Sequence, residues 1–299
     1  MDLGLGTAQF GLSYGVSNTT GQTPYRKALE ILEFAAGTSV KVLDTAPAYS
    51  SAELILGALG QRLRAFEVVT KTSALHDVSS HSAGNDIVDR LERNFEKSLA
   101  RLGLTSVDTL LVHHIDDLRR PFGCAVVQRL HDLRSKGYVK KIGVSSYPSD
   151  ILLDVIKNFD LDVVQLPINP LDQRAIDLGL IEEMKNRKIK IHARSIFLQG
   201  LLIMDPKHIP KYFNPIFPLL VEWSELIRER RTSAAKLVFG FLRKIGVDVA
   251  IVGVESLEQL KDNLVDFDTE YNCDSLDLSH FKLNDKNFVN PSNWRFNGG

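Results

Sequence analysis

Short apolar runs alternate with amphipathic stretches from one end of the chain to the other. The runs are LGLGTA (3–8), KVLDTA (41–46), FEVVTK (66–71), DTLLVHH (108–114), KKIGVSS (140–146), DVVQLPI (162–168), KIHARSI (190–196) and VAIVGV (249–254). They are rich in Val, Ile and Leu and often continuous rather than alternating, the pattern of strands buried on both faces of a parallel sheet. Between them the apolar period becomes that of a helix. Ile87, Leu91, Phe95, Leu99 and Leu102 lay one stripe along a helix. Ile151, Leu152, Val155, Ile156 and Phe159 do the same after the helix start Pro148-Ser149-Asp150, and Ala234, Leu237, Val238, Phe241 and Leu242 form a third face.

Eight strands interleaved with helices, without a linker or a charge block between them, predict an α/β fold: a single (β/α)8 TIM barrel spanning 1–299 as one domain. The last stretch, from about 270, is rich in Asn, Asp and Ser. It is expected to be either a disordered end or a loop folding back over the barrel mouth.

The totals narrow the class. A chain of 299 residues suits one complete barrel, and a net charge of −1 carries no basic stripe for nucleic acid or a membrane surface. Cys124 and Cys273 stand far apart without a CxxC or a metal spacing, so free thiols in a reducing compartment are expected. The start, MDLGLGTAQFG, lacks a basic segment followed by a long apolar one, and no run approaches the ~20 residues of a bilayer span. A cytoplasmic location is the default expectation.

In such barrels chemistry sits at the carboxyl ends of the strands. There the sequence places Asp44 with Tyr49 just beyond it, Lys71, and His113 with His114. Singly, each is usually a solvated or hydrogen-bonded side chain; converging on one mouth, they form a proton-transfer site. A carbonyl accepting hydride needs a proton at its oxygen, and a free Tyr, with a pKa of about 10, releases one reluctantly. A nearby ammonium stabilises the phenolate and eases transfer. Lys71 supplies that charge if Asp44 holds it, and His113 can hydrogen-bond the carbonyl oxygen. The set has no nucleophile–base pair of the hydrolase type, and metal ligands are absent from it.

These segments resemble the aldo-keto reductase superfamily, from Leu3 to about Phe267. DTAPAYSSAELILG is similar to the family's Asp-Thr-Ala-x-x-Tyr block, VVTK to its lysine strand, and LERNFEKSLARLGLTSVDTLLVHH to its helix and histidine strand. The resemblance implies a catalytic tetrad of Asp44, Tyr49, Lys71 and His113, matching the reading from the residues. It also implies an extended nicotinamide dinucleotide bound without a GxGxxG fingerprint, which no strand here precedes.

On the same resemblance Thr7 lies near the cofactor, and Ser145, Ser146 and Gln165 hold the carboxamide, with Ser146 replacing the usual Asn. ARSIFLQGLL is similar to the pyrophosphate loop, giving Ser195, Leu198 and Gly200, with Arg194 where relatives often stack an aromatic ring. IVGVESLEQLKDNL resembles the adenosine-phosphate loop and implicates Gly253, Ser256, Gln259 and Asn263. The family places NADP first and NAD second. Gln259 in place of an Arg, and Glu255 beside it, pull toward NAD.

The expected activity is a carbonyl–alcohol interconversion on a small-molecule carbonyl or sugar. Polar His114, Tyr147 and the Asn/Asp-rich tail favour a polyhydroxylated substrate. Two other readings stand beside it: a cofactor-binding, redox-sensing regulatory subunit, and a lyase using Lys71 as a Schiff base.

Overall fold

The computed structural model describes residues 1–75, 84–273 and 275–295. Among them, eight parallel strands close into a barrel in chain order, β1 pairing with both β2 and β8. The strands are β1 (Asp2–Gly6), β2 (Val40–Asp44), β3 (Glu67–Lys71), β4 (Val107–Val112), β5 (Val139–Ser145), β6 (Val163–Pro167), β7 (Lys190–Arg194) and β8 (Val249–Gly253). Each falls on a predicted run. Several runs, those of β1, β2, β4 and β7, extend two residues past the ladder. Those extra residues, among them Thr7, Thr45, His113 and Ser195, leave the ladder to form the mouth.

Alternation along the strands separates two apolar layers. Val42, Val69, Leu111, Val163, Val249 and Ile251 form a cluster inside the barrel, while Leu3, Leu5, Leu43, Val68, Leu110 and Val164 belong to the larger core beneath the helices. A closed barrel has no edge strand to protect, so its strands can be apolar on both faces.

The helices that position the site are α1 (Gly84–Leu102), α2 (Asp150–Asn158), α3 (Ala234–Ile245) and α4 (Leu257–Asp268). The stripe Ile87, Leu91, Phe95, Leu99 and Leu102 is buried along α1. Each such side chain contributes about 1.5–3 kcal/mol by leaving water. Ser149 caps α2, Ser233 caps α3 and Ser256 caps α4, each hydroxyl accepting the backbone N–H three residues on.

The tail packs against loops at the carboxyl side of the barrel. Arg174 Nη2 donates to Asn290 Oδ1 at 2.7 Å, Gln173 Nε2 donates to the Leu278 carbonyl at 2.7 Å, and the Trp294 ring meets Phe213 edge-on at 5.0 Å. None of the described tail residues lines the cavity at the mouth.

Candidate active site

The carboxyl ends of β2 and β3 bring Asp44 and Lys71 together inside the barrel. Lys71 Nζ donates to Asp44 Oδ1 at 2.7 Å and to the Thr45 carbonyl at 3.0 Å. Gln165 Nε2, from β6, donates to the same Asp44 oxygen at 2.7 Å, and Ser145 Oγ, from β5, donates to Gln165 Oε1 at 3.2 Å. Four strands thus contribute to one buried chain of hydrogen bonds. Burial alone drives the Lys71 pKa down, but the charge of Asp44, helped by Tyr49, outweighs it and leaves it above its ordinary value. Lys71 is therefore a held cation, 1% exposed at its side chain.

Tyr49 closes a 3-10 turn, Pro47–Tyr49, just beyond β2. That turn packs so tightly on Gly11 that a Cβ there would lie 1.7 Å from the Tyr49 carbonyl oxygen. Gly11 is thus the residue that lets the turn seat. Lys71 Nζ stands 5.0 Å from the centre of the Tyr49 ring. His113 meets that ring edge-on at 6.2 Å and stacks on His114 at 4.9 Å. Burial first, then the positive charges of Lys71 and Arg194 and the neighbouring His114, pulls the His113 pKa down to about 3. His113 is a neutral imidazole at neutral pH, able to donate one N–H and accept at the other nitrogen.

A cavity of about 370 Å³ opens beside this group. It runs from Asp44 and Tyr49 past Thr7, Arg194, Ser195 and Gly200 to Gly253, Gln259 and Asn263. Of the other residues expected near a cofactor, Ser145 and Gln165 lie beneath Asp44 in the hydrogen-bond chain. Ser146 Oγ turns away to donate to the Tyr147 carbonyl at 3.0 Å, Leu198 is fully buried, and Ser256 is spent as a helix cap. Arg194 lies over the Tyr147 ring, 4.7 Å from its centre.

The family model described as "Aldo/keto reductase family" matches residues 2–278. The chain belongs to the aldo/keto reductase family. It is 22% identical to the NADH-specific methylglyoxal reductase of Escherichia coli K12, over 88% of each chain. It is 28% identical to the D-threo-aldose 1-dehydrogenase of a Pseudomonas species, over 75% of this chain and 76% of that one. The fold matches an aldo-keto reductase from Bacillus halodurans in its holo form with a TM-score of 0.72 at 20% identity, covering 94% and 90% of the two chains.

As an aldo-keto reductase the chain is an NAD(P)H-dependent oxidoreductase with a nicotinamide dinucleotide cofactor. The residues present fit such a group. The cavity extends from the Tyr49 group to Gln259 and Asn263, and two of its lining glycines leave no room for a side chain: a Cβ on Gly200 would lie 2.1 Å from Ser17 Oγ, and one on Gly253 2.3 Å from Gln9 Nε2. Across the trough the Val16 N–H donates to the Gln199 carbonyl at 3.0 Å, so the loop after β1 bridges to the loop after β7.

The aldo-keto reductase cavity also uses residues that sequence reasoning passed over: Gln9, Tyr14, Ser17, Gln199, Asp262 and Asp266. Tyr14 faces the Tyr49 end. Burial, with Tyr49 beside it, pushes its phenol up to about 12, so it stays protonated. The position of Tyr14 in a loop following a strand's carboxyl end was the available clue, since those loops build the mouth.

Proposed function

We propose that the chain interconverts a small carbonyl compound and its alcohol, with Tyr49 as the general acid and base. The observation that carries this reading is the buried Lys71–Asp44 pair standing 5.0 Å from the Tyr49 ring. A fixed cation beside the phenol stabilises the phenolate left when Tyr49 gives its proton to the carbonyl oxygen. Asp44, itself held by Gln165, keeps that cation charged and in place. His113, neutral and adjacent to Tyr49, donates its N–H to the same oxygen and orients the carbonyl. The nicotinamide, when bound, supplies or receives the hydride. Arg194 and Ser195, which line the cavity, would lie beside it, and Ser145 and Gln165 would act through Asp44, which they hold by the chain of hydrogen bonds. Run backwards, the same groups oxidise an alcohol or a lactol.

The site favours a polyhydroxylated substrate. Tyr14 and Arg194 line the cavity beside Tyr49, Tyr147 lies under the Arg194 guanidinium, and His114 stacks on His113, so hydrogen-bonding groups gather near the Tyr49 end. Of the two relatives, the one named a D-threo-aldose 1-dehydrogenase agrees with this reading, and the one named a methylglyoxal reductase does not require it. The Schiff-base reading of Lys71 loses ground here: a lysine held protonated by Asp44 is a poor nucleophile.

Tyr49→Phe tests the assignment. Its kcat is expected to fall by about 10²–10⁴-fold, while cofactor affinity by fluorescence titration stays within a factor of two or so. Equal loss of both would remove Tyr49 from the proton-transfer role. In a substrate panel, aldoses should outrun small apolar aldehydes in kcat/KM.

A further inference from the structure

The cavity carries its charge unevenly. At the Tyr49 end, Asp44 is neutralised by Lys71, and Arg194 adds a cation. The far end is lined by Ser233, Ala234 and Ala235 together with Glu255, Gln259, Asp262, Asn263 and Asp266. Among the described residues lining that end there is no lysine or arginine. Asp266 is engaged, accepting from Ser233 Oγ at 2.6 Å with Lys236 Nζ 3.9 Å away. Among the described residues, the carboxylates of Glu255 and Asp262 have no hydrogen-bond or ion-pair partner. The loop after β1 passes beside Glu255, where a Cβ on Gly15 would lie 3.7 Å from its Oε1, and partial burial raises the Glu255 pKa.

The two neutral features of the far end do not offset these carboxylates. Gln259 points its Oε1 at the Glu255 N–H, 2.8 Å away, so its side chain serves the loop. The α4 N-terminus would attract an anion. However, its Gln259 N–H is already taken by Ser256 Oγ, and Glu258 sits in its first turn.

We infer that this end of the cavity is built for an unphosphorylated adenosine ribose, so that the chain takes NADH in preference to NADPH, with Glu255 as the discriminating residue. The inference rests on the oxidoreductase reading above and deepens it. A ribose 2′-hydroxyl is a donor that a carboxylate accepts, whereas a 2′-phosphate brings about −1.5 to −2 charges toward Glu255 and Asp262. Because both carboxylates remain open to water, their repulsion is moderate and falls as salt screens it.

The test is an equilibrium fluorescence titration of the purified chain with NADH and with NADPH, at about 0.02 M and about 0.5 M salt. The expected result is a Kd for NADH lower by about tenfold or more at low salt, with the ratio narrowing at high salt. Glu255→Gln should bring the two Kd values together mainly by tightening NADPH, and Glu255→Arg should reverse the order. Asp262→Asn, on the solvent side of the helix, should narrow the ratio in the same direction by less. NADPH binding as tightly as NADH, or a ratio that Glu255→Gln leaves unchanged, overturns the inference while leaving the oxidoreductase reading intact. Failure of both dinucleotides to bind overturns the oxidoreductase reading itself, and the inference with it.

Discussion

The two ends of the cavity hold charge under opposite conditions. At the Tyr49 end, Lys71 and Asp44 are almost wholly out of water; Lys71 also donates to the Thr45 carbonyl, and Asp44 also accepts from Gln165, which Ser145 holds in turn. At the far end Glu255 is half-buried, Asp262 is exposed, and neither carboxylate has a partner among the described residues. Removing a partner from a dry, fully paired site exposes the whole desolvation cost of what is left behind. Changing a wet, unpartnered carboxylate moves only a screened interaction. The near end is therefore where rate and stability are coupled, and the far end is where selectivity can change without either.

Lys71→Met should break that coupling with the largest effect. It leaves Asp44 buried without its counter-charge, and the expected loss of unfolding free energy is about 3–5 kcal/mol. The rate should fall at least as far as in Tyr49→Phe, because the phenolate loses its stabilising cation. Pairing it with Asp44→Asn should restore most of the stability and none of the rate. Urea unfolding alongside kcat measures both; a single variant as stable as the wild type would mean the pair is not desolvated as described.

A smaller effect comes from the barrel interior on β7. His192 is 4% exposed, and its Nδ1 has no hydrogen-bond partner. Burial pulls its pKa down to about 4, against the opposing pull of Asp44. In the unfolded chain a histidine titrates near 6.5, so between that value and about 4 the unfolded state binds the extra proton. Stability is then fully present above about pH 6.5 and declines as pH falls toward 4, by about 2–3 kcal/mol for this residue. His113, pulled down to about 3, acts in the same direction. His192→Gln should flatten the acid slope of unfolding free energy, whereas Glu255→Gln should leave that window nearly unchanged. A slope unaltered in His192→Gln would show that the imidazole is not held neutral.

How much of this was legible in the sequence follows the same division. Asp44, Lys71 and His113 stand out because each interrupts a continuous apolar run at its carboxyl end, where the barrel must open to solvent. The strands and the stripe on α1 were equally plain, since period alone fixes them. The loop after β7, between the two ends, gave less away. Ser195, Leu198 and Gln199 take left-handed backbone conformations, with φ of 51°, 47° and 54°, and Gly200 follows at 94°. A chain turning that way has no period, so nothing in the letters shows that Gln199 lines the cavity while Leu198 turns into the core. The tail was ambiguous for a related reason. Its anchors Phe281, Val289 and Trp294 are sparse and irregularly spaced, and its polar contacts, such as Arg174 to Asn290, join residues 116 positions apart.

Ser256 gives the finest test of the difference between the two ends, because the resemblance gives it to the cofactor while its hydroxyl is occupied by α4. Ser256 Oγ accepts from the Gln259 N–H at 3.2 Å, with the cap residue itself in extended backbone. If capping is its task, Ser256→Ala should cost about 1 kcal/mol of stability, and Ser256→Thr should recover most of it. Dinucleotide Kd values should then move by less than about threefold, since α4 frays by a turn without displacing Glu255 from its loop. A tenfold loss of affinity with unchanged stability would instead place the hydroxyl on the ligand, and the far end would hold a fixed hydrogen-bonding group alongside its open carboxylates.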